Sequence, residues 1–260
     1  MSEDRIFVDE KFGDEPFRFD ESVARVFPDM LRRSIPGYAA TLDAIGSLAA
    51  RFVGAGATCF DLGCSLGAAT LAMRQGIRAP GCRIVAVDNA PAMVERCRQL
   101  VIADTAAYPG RPPVEVRLGD ARDTEIRDGG MVVMNFTLQF VPPAERDGMV
   151  ARIADGLVPG GILFLSEKVV DEDPAMEALL VDLYHEHKRR NDYSALEVAR
   201  KRAALENVLV PETVAAHRRR LAAAGFGSVA VWLRYFNFVS LIAIKPDGRR
   251  AGEEPRRTRR

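Results

Sequence analysis

The stretch Phe60-Asp61-Leu62-Gly63-Cys64-Ser65-Leu66-Gly67 decides the fold, because a buried strand passes into a helix there through a glycine-rich turn. Gly63 permits the sharp turn, and the small residues let a ligand approach the backbone. A second acid, Asp88, ends the next apolar run, 21 residues after Gly67. A carboxylate at that place accepts hydrogen bonds from both hydroxyls of a ribose. Together these features predict a nucleotide-like ligand at the carboxyl edge of a parallel sheet.

Outward from this turn, short apolar runs alternate with helical patterns. The predicted strands are 57–61, 83–88, 114–117, 131–135 and 161–166. The predicted helices between them are 66–75, one that opens at Pro91, and 142–157. Such alternation predicts an α/β fold, a doubly wound parallel sheet with helices on both faces.

The flanking segments follow other patterns. We predict an N-terminal helical segment over 1–55, with Asp20 as a helix cap and a break at Pro36-Gly37. Residues 56–168 and 209–246 would form the ligand-binding α/β domain, and 169–208 a helical insert after strand five. The remaining predicted elements are a helix over 211–225, strands over 229–233 and 236–244, and a flexible, Arg-rich tail over 247–260. The last two strands are too close for a helical crossover, so we expect them to pair antiparallel.

Composition excludes several classes of protein. The 260 residues are 48% hydrophobic, and 36 basic side chains balance 36 acidic ones, which excludes nucleic-acid binding driven by bulk charge. No apolar run approaches the length of about 18 residues that a membrane span needs. The acid-rich start has no signal-peptide character, and four cysteines without a C-x-x-C pair suit reduced thiols. We therefore expect a cytoplasmic protein with no metal site and no membrane contact.

The glycine turn also discriminates between ligands. A dinucleotide fold prefers G-x-G-x-x-G, whereas this turn reads D-x-G-x-S-x-G with an acid first. The acid-first form resembles the S-adenosylmethionine-dependent methyltransferase superfamily, whose ligand carries a sulfonium cation and no phosphate. That resemblance implies a Rossmann-like methyltransferase sheet. It also implies adenine contacts at Asp120, after the third strand, and a position facing the sulfonium methyl at Asn135.

A closer resemblance, to the carboxy-S-adenosyl-L-methionine synthase family, extends over roughly residues 16 to 245. It is carried by Phe27-Pro-Asp-Met-Leu-Arg-Arg-Ser-Ile-Pro-Gly-Tyr38, Asp61-Leu-Gly-Cys-Ser-Leu-Gly-Ala-Ala-Thr70, Val87-Asp-Asn-Ala-Pro-Ala-Met93, Asn135-Phe-Thr-Leu-Gln-Phe140, Leu165-Ser-Glu-Lys168, Lys201-Arg-Ala-Ala-Leu-Glu-Asn207 and Phe236-Asn-Phe238. Most of these strings lie outside the generic ligand turn, so the resemblance is specific.

The resemblance implies a reaction, partners and site residues. S-adenosyl-L-methionine would be a substrate that takes a carboxylate from prephenate, giving carboxy-S-adenosyl-L-methionine and phenylpyruvate. The product would pass to an enzyme that modifies a tRNA wobble uridine, with no direct nucleic-acid binding by this chain. The implied ligand contacts are Tyr38, Gly63, Cys64, Ser65, Asp88, Asn89, Asp120, Ala121, Asn135 and Arg202. Tyr38, Asn135 and Arg202 are the implied catalytic residues, and the family's arginine reaches across a homodimer to grip the added carboxylate.

Two other functions remain open at this point. A conventional methyltransferase could act on a small molecule or RNA, and a non-enzymatic scaffold could merely bind the ligand. Arg202 separates the first of these from a carboxyl-transferring enzyme, because a methyl acceptor gives no reason for an anion receptor beside the sulfonium. The string 217–220, His-Arg-Arg-Arg, has no implied role, and we expect it to solvate a helix.

Overall fold

The computed structural model describes residues 19–194, 196 and 208–247. Its strands are β1 (Thr58–Leu62), β2 (Arg83–Asp88), β3 (Val114–Leu118), β4 (Gly129–Asn135), β5 (Leu157–Val170), β6 (Glu212–Thr213), β7 (Ser228–Tyr235) and β8 (Phe238–Ile244). Its α-helices are α1 (Glu21–Ser34), α2 (Tyr38–Phe52), α3 (Ala68–Gly76), α4 (Pro91–Ala107), α5 (Pro143–Gly156), α6 (Pro174–Arg190) and α7 (Val214–Ala223). Short 3-10 turns cover Ala121–Asp123 and Leu138–Phe140.

The sheet follows the order β3-β2-β1-β4-β5-β8-β7, with β6 paired to β5 alone. The pairs from β3 to β5 are parallel, whereas β8 runs antiparallel to both of its neighbours. This confirms the predicted α/β fold with an antiparallel C-terminal strand pair. The order reverses between β1 and β4, and ligands of open α/β sheets bind at such a switch point.

Alternate residues of the central strands serve two cores. In β1, Phe60 and Leu62 pack beneath α5 and α7, whereas Cys59 packs with α2 and α3. In β5, Leu163 and Phe164 divide in the same way. Successive side chains of a strand point to opposite faces, so both faces of this sheet are buried. The two cores hold the parallel strands β1 to β5 in place, so their carboxyl ends lie together along one edge of the sheet.

Two predicted features at 211–220 are wrong. The helix begins at Val214 and not at 211, because Glu212 and Thr213 first pair with Val169 and Val170 as β6. Thr213 then caps the helix by accepting the amide N–H of Ala216. Moreover, His217 and Arg220 are buried rather than solvating the helix.

The segments on either side of the sheet are helical where they are described. Asp20 caps α1 as predicted, and α1 packs on α4 through Met30 and Met93. In the insert, α6 follows β5 directly, while residues 195 and 197–207 lie outside the described residues. The division into domains stays a prediction. In the parts of the chain that the structure describes, no helix is long and apolar enough to cross a bilayer.

Candidate functional site

A cavity of about 880 Å³ opens at the carboxyl ends of the central strands. Ligand pockets in proteins run from about 300 to 1,000 Å³, so this one has room for more than one small molecule. It is lined by nine of the predicted ligand contacts: Tyr38, Gly63, Cys64, Ser65, Asp88, Asn89, Asp120, Ala121 and Asn135. The structure therefore brings these side chains to one place, and their roles stay predictions. Arg202 lies outside the described residues.

The glycine turn holds its shape by backbone hydrogen bonds. The amides of Gly63 and Cys64 both donate to the carbonyl of Val87, at 2.8 and 2.9 Å. Gly63 has a φ of 79°, and a Cβ there would collide with the side chain of Thr137. Ser65 also has a positive φ, of 49°. Only glycine fits at position 63. Because Gly63 has no side chain, its backbone lies directly at the cavity wall.

Asp88 and Asp61 give this part of the cavity its negative character. The Asp88 carboxylate accepts the amides of Ser65 and Ala90 at 2.8 and 2.9 Å, one on each oxygen. Each carboxylate oxygen can accept another hydrogen bond, which leaves room for two ribose hydroxyls. The Asp61 carboxyl is fully buried, and its Oδ2 accepts the hydroxyl of Thr70 at 2.5 Å. Burial raises the pKa of Asp61 to about 7.

Two buried oxygens in the cavity lack a partner within the described residues, Oδ1 of Asp61 and Oδ1 of Asn135. A buried polar atom without a hydrogen bond is costly, and a bound ligand is one way to satisfy it. Acceptors alone, near a carboxyl, suit a ligand that carries positive charge. These acceptors would fit the ammonium and sulfonium groups of S-adenosylmethionine, and the predicted role of Asp88 would place its carboxylate on the ribose.

Asp120 is already engaged by the protein. It caps the Ala121–Asp123 turn by accepting the amide of Arg122, and it also pairs with the Arg122 guanidinium at 2.7 Å. The hydrogen bond from Arg122 holds the pKa of this carboxyl below its usual range. Asp120 therefore combines the turn role with a place at the cavity wall, and the adjoining Ala121 lines the same wall.

Tyr38 closes the cavity from the side of α2. It is the first residue of that helix, after Gly37 in the left-handed region with a φ of 76°. Burial raises the pKa of the Tyr38 phenol, with the charge of Asp61 as the second cause. The phenol stays neutral at physiological pH and can donate a hydrogen bond to an anion.

The opposite half of the cavity is basic and aromatic. Lys168 on β5 and Lys188 on α6 both line it, with their ammonium nitrogens 5.7 and 4.4 Å from the ring centroid of Tyr184. Asn237 lines it from the turn between β7 and β8. None of these three polar residues was among the predicted site residues. Only the motif strings at 165–168 and 236–238 pointed to Lys168 and Asn237, and nothing pointed to Lys188.

Glu167 ties a cavity-lining turn to β5. Its buried carboxylate accepts the amides of Leu138 and Gln139 at 3.0 and 2.8 Å, and burial raises its pKa to about 8. The Gln139 side chain in return accepts the amide of Lys168 at 2.9 Å. The turn over Leu138–Phe140 and the backbone of Lys168 are thereby held in one network.

The chain is similar in sequence and in fold to known methyltransferases. Residues 60–161 match the family model described as a methyltransferase domain. An O-methyltransferase family protein from Burkholderia thailandensis superposes with a TM-score of 0.63 at 18% identity, covering 90% of this chain and 65% of that one. Human N-acetylserotonin methyltransferase, solved with its S-adenosylmethionine, gives 0.57 at 16% identity over 87% of this chain and 55% of its own. Residues 60–161 thus match a methyltransferase domain, and the chain shares the Rossmann-like fold of these methyltransferases.

Two relatives narrow that class. The carboxy-S-adenosyl-L-methionine synthase of Trichlorobacter lovleyi is 53% identical over 229 residues, which are 88% of this chain and 93% of the relative. The synthase of Pasteurella multocida is 52% identical over 247 residues, 94% of this chain and 100% of the relative. The chain belongs to the carboxy-S-adenosyl-L-methionine synthase family of enzymes.

Proposed function

We propose that this enzyme converts S-adenosyl-L-methionine and prephenate into carboxy-S-adenosyl-L-methionine and phenylpyruvate. The observation that carries the proposal is the identity of over 50% to synthases of that name along nearly the whole chain. A cavity that is acidic at one end and basic at the other supports it, because a cationic and a dianionic reactant have to be held together.

The proposed chemistry balances without an outside reagent. Prephenate loses carbon dioxide and hydroxide as its ring becomes aromatic, which leaves phenylpyruvate. The hydroxide takes a proton from the sulfonium methyl carbon and becomes water. That carbon then bonds to the carbon dioxide, which gives the carboxymethyl group of the product. S-adenosylmethionine is thus consumed as a substrate.

Under this proposal the protein contributes positioning, charge and exclusion of water. Asn135, at the end of β4, presents an amide that does not take up a proton at neutral pH, so the departing hydroxide serves as base. Asp88 and Asp61 would hold the cationic reactant. Holding two reactants in register can by itself supply about 7–11 kcal/mol of the barrier.

Intact mass of the product tests the proposal against a conventional methyltransferase. Enzyme supplied with S-adenosylmethionine and prephenate should yield a species heavier by one carbon dioxide, with phenylpyruvate formed in equal amount. S-adenosylmethionine carrying three deuterons on its methyl should lose part of the label. S-adenosylhomocysteine as the main product would favour methyl transfer instead, and a transferred methyl group that keeps all three deuterons would rule out deprotonation of the methyl carbon.

The remaining expectations complete the proposal. Arg202 would bind the new carboxylate, from the partner subunit of a homodimer, and the product would feed the modification of a tRNA wobble uridine in the cytoplasm. One described feature supports assembly: α6 leaves Met176 and Leu179 45% and 51% exposed. Those side chains give the helical insert an apolar face that a second subunit would cover.

A further inference from the structure

Two lysine ammonium groups lie close to a buried aromatic ring at the β5–β8 side of the cavity. Tyr184 is 7% exposed, and the ammonium groups of Lys168 and Lys188 lie 5.7 and 4.4 Å from its ring centroid. Lys188 itself is 5% exposed, and lysine is almost never buried so fully unless its charge is paired. Two cations in a half-closed cavity attract an anion strongly, since the low dielectric strengthens the interaction.

Asn237 supplies an independent sign of a ligand. Its side chain is 1% exposed, and neither its Nδ2 nor its Oδ1 has a partner within the described residues. The backbone is fixed, because the amide of Val169 donates to the Asn237 carbonyl at 2.8 Å. The next residue, Phe238, pairs with Lys168 in the β5–β8 ladder. The unsatisfied amide and the Lys168 ammonium therefore belong to the same part of the wall.

An aromatic wall connects this place to the sulfonium end. The ring centroids of Phe136 and Phe238 lie 5.9 Å apart, and those of Phe238 and Tyr184 lie 5.0 Å apart. Phe136 directly follows Asn135 at the end of β4. A flat six-membered ring can lie along these side chains with its charged groups towards the lysines, next to the predicted position of the sulfonium methyl.

The charges of the cavity divide along the sheet. Asp120 follows β3, Asp88 ends β2 and Asp61 lies in β1, whereas Lys168 lies on β5. Neighbouring strands are about 4.8 Å apart, so β4 with Asn135 separates the half with three carboxyl groups from the half with two lysines. Arg122 also lines the acidic half, where its guanidinium pairs with Asp120. Glu177 is the acid that lines the basic half, and its Oε2 accepts the amide of Asp171 at 2.7 Å.

We infer that Lys168, Lys188 and Asn237 bind the carboxylate donor, a cyclic dicarboxylic acid, beside the sulfonium. The inference rests on the proposed function and adds the site of the second substrate. The two ammonium groups receive the carboxylates in charge-assisted hydrogen bonds, and the Asn237 amide bonds a carbonyl or hydroxyl of the same molecule. Phe136, Phe238 and Tyr184 cover its ring.

Calorimetric titration of prephenate into the full chain saturated with S-adenosylhomocysteine measures donor binding without turnover. Lys168→Met and Lys188→Met keep the apolar stem and remove the charge. Each should weaken prephenate binding by about ten- to a hundredfold, as expected for a lost hydrogen bond between charged groups. Asn237→Asp, which turns a carboxylate towards the donor, should weaken it at least as much. Affinity for S-adenosylhomocysteine should stay the same in all three.

Arg219→Gln is the matched control, because it removes one positive charge from an exposed position on α7. Both Met variants binding prephenate like wild type, with unchanged melting temperatures, would overturn the inference. A wild-type enzyme that binds prephenate but forms no carboxylated product would refute the proposed function and leave the donor site standing. Wild-type enzyme that does not bind prephenate would overturn both.

Reductive methylation of lysines in the wild-type enzyme tests the same inference without a substitution, so it applies even if a variant does not fold. Prephenate should slow the modification of Lys168 and Lys188 relative to Lys245, which is not among the cavity-lining residues. Equal modification of all three lysines with and without prephenate would contradict the inference.

Discussion

The Asp88 carboxylate is shared between the protein and its predicted ligand. Its two oxygens already accept the amides of Ser65 and Ala90, which fixes their direction before a ribose arrives. A preset acceptor loses little entropy on binding, so its hydrogen bonds contribute more fully to affinity. This residue therefore carries the most direct test of the ligand site.

Replacing Asp88 by alanine should abolish measurable binding of S-adenosylmethionine. Two charge-assisted hydrogen bonds would be lost, each worth about 1.5–3 kcal/mol, which lowers affinity by at least about two powers of ten. Titration calorimetry measures the loss, with circular dichroism to verify the fold. Asp43→Ala, an exposed change on α2, is the control. Binding near wild-type strength would mean that the ribose lies elsewhere.

Asp61 should couple ligand binding to proton release. Burial raises its pKa to about 7, so a large fraction of the empty sites carry the proton at pH 6.5. A cationic ligand beside Oδ1 favours the ionised form and lowers that pKa. Calorimetry at pH 6.5 in two buffers of different ionisation enthalpy should show protons released on binding S-adenosylmethionine.

Asp61→Asn is the comparison for that measurement, because the amide cannot ionise. The variant should bind with a heat that is independent of the buffer. The raised pKa of Asp61 also affects the free energy of unfolding. Because the folded state holds this proton more tightly than the unfolded state, the stability that Asp61 contributes declines as pH rises from about 4 to 7. Proton uptake on ligand binding by the wild type would contradict the assignment.

At the scale of elements, the β1–α3 turn depends on one glycine. Gly63 has a φ of 79°, and an added Cβ would collide with Thr137 on the neighbouring turn. Gly63→Ala should therefore lower the melting temperature and weaken S-adenosylmethionine binding at least tenfold, about 1.4 kcal/mol. Thermal denaturation and calorimetry measure both effects.

Gly54→Ala provides the matched control, since an added Cβ there meets no atom within 4 Å. The double variant Gly63→Ala, Thr137→Ala removes the two closest contacts, leaves the Cβ of residue 137 at 2.9 Å and keeps the strained φ, so it should recover part of the loss. A Gly63→Ala variant as stable and as tight in binding as Gly54→Ala would show that the turn is not strained.

A buried ionic cluster joins α5, β6 and α7. Arg146 is fully buried and donates to Glu212 at 2.5 Å and to the carbonyl of Val141 at 2.8 Å. Arg220 bridges Glu212 and Asp147 at 2.8 and 2.6 Å. Next to it, His217 has its pKa lowered to about 4, chiefly by burial and then by the charge of Arg220.

His217 should make the enzyme sensitive to mild acid. The unfolded chain takes up the proton near pH 6.5 and the folded chain only near 4, so stability falls as pH drops between these values. For one such group, the free energy of unfolding changes by up to about 1.4 kcal/mol per pH unit, which corresponds to the uptake of one proton. Urea denaturation of wild type and His217→Gln between pH 7 and 5 measures the difference. Parallel pH profiles for the two proteins would contradict this role.

The sequence predicted the sheet because its signals are local. Apolar runs such as 83–88 mark strands, and Pro91 marks a helix start, without reference to the rest of the chain. Asp88 was predictable for the same reason, because it ends a strand beside a glycine turn. The two-residue β6 has no alternation to detect. The burial of Arg220 depends on Glu212 and Asp147, which lie on other elements.

The basic half of the cavity escaped prediction because its parts come from distant segments. Lys168, Lys188 and Asn237 belong to a strand, a helix and a hairpin turn, and none has a spacing that marks it locally. A lone lysine in a charged helix resembles a solvated face. Only the fold, by placing β8 beside β5, brings these side chains together.

At the scale of the whole molecule, Arg202 is predicted to reach the site of a second subunit. Arg202→Ala should lower carboxyl transfer by about two to three and a half powers of ten, as for a lost partner of a buried charge. Mixing Arg202→Ala with Asp88→Ala under conditions of subunit exchange tests the geometry. If the arginine acts across the dimer, random pairing restores about a quarter of the sites.

Arg202→Lys refines the same prediction, since a point charge replaces a planar fork and should recover only part of the activity. Mixed dimers verified by mass and without recovered activity would exclude action across the interface. They would leave the grip of Arg202 on the carboxylate within one subunit unaffected.

The position of β8 has a consequence for biosynthesis. This strand, Phe238–Ile244, lies inside the sheet between β5 and β7, although it comes last in sequence among the strands of the described residues. During translation the hydrogen-bonding edge of β5 has no permanent neighbour on that side until residue 244 has left the ribosomal exit tunnel. Uncovered strand edges recruit other chains. We therefore expect the nascent chain to expose this edge to chaperones at the ribosome, and folding of the sheet to be completed only after β8 has been synthesised.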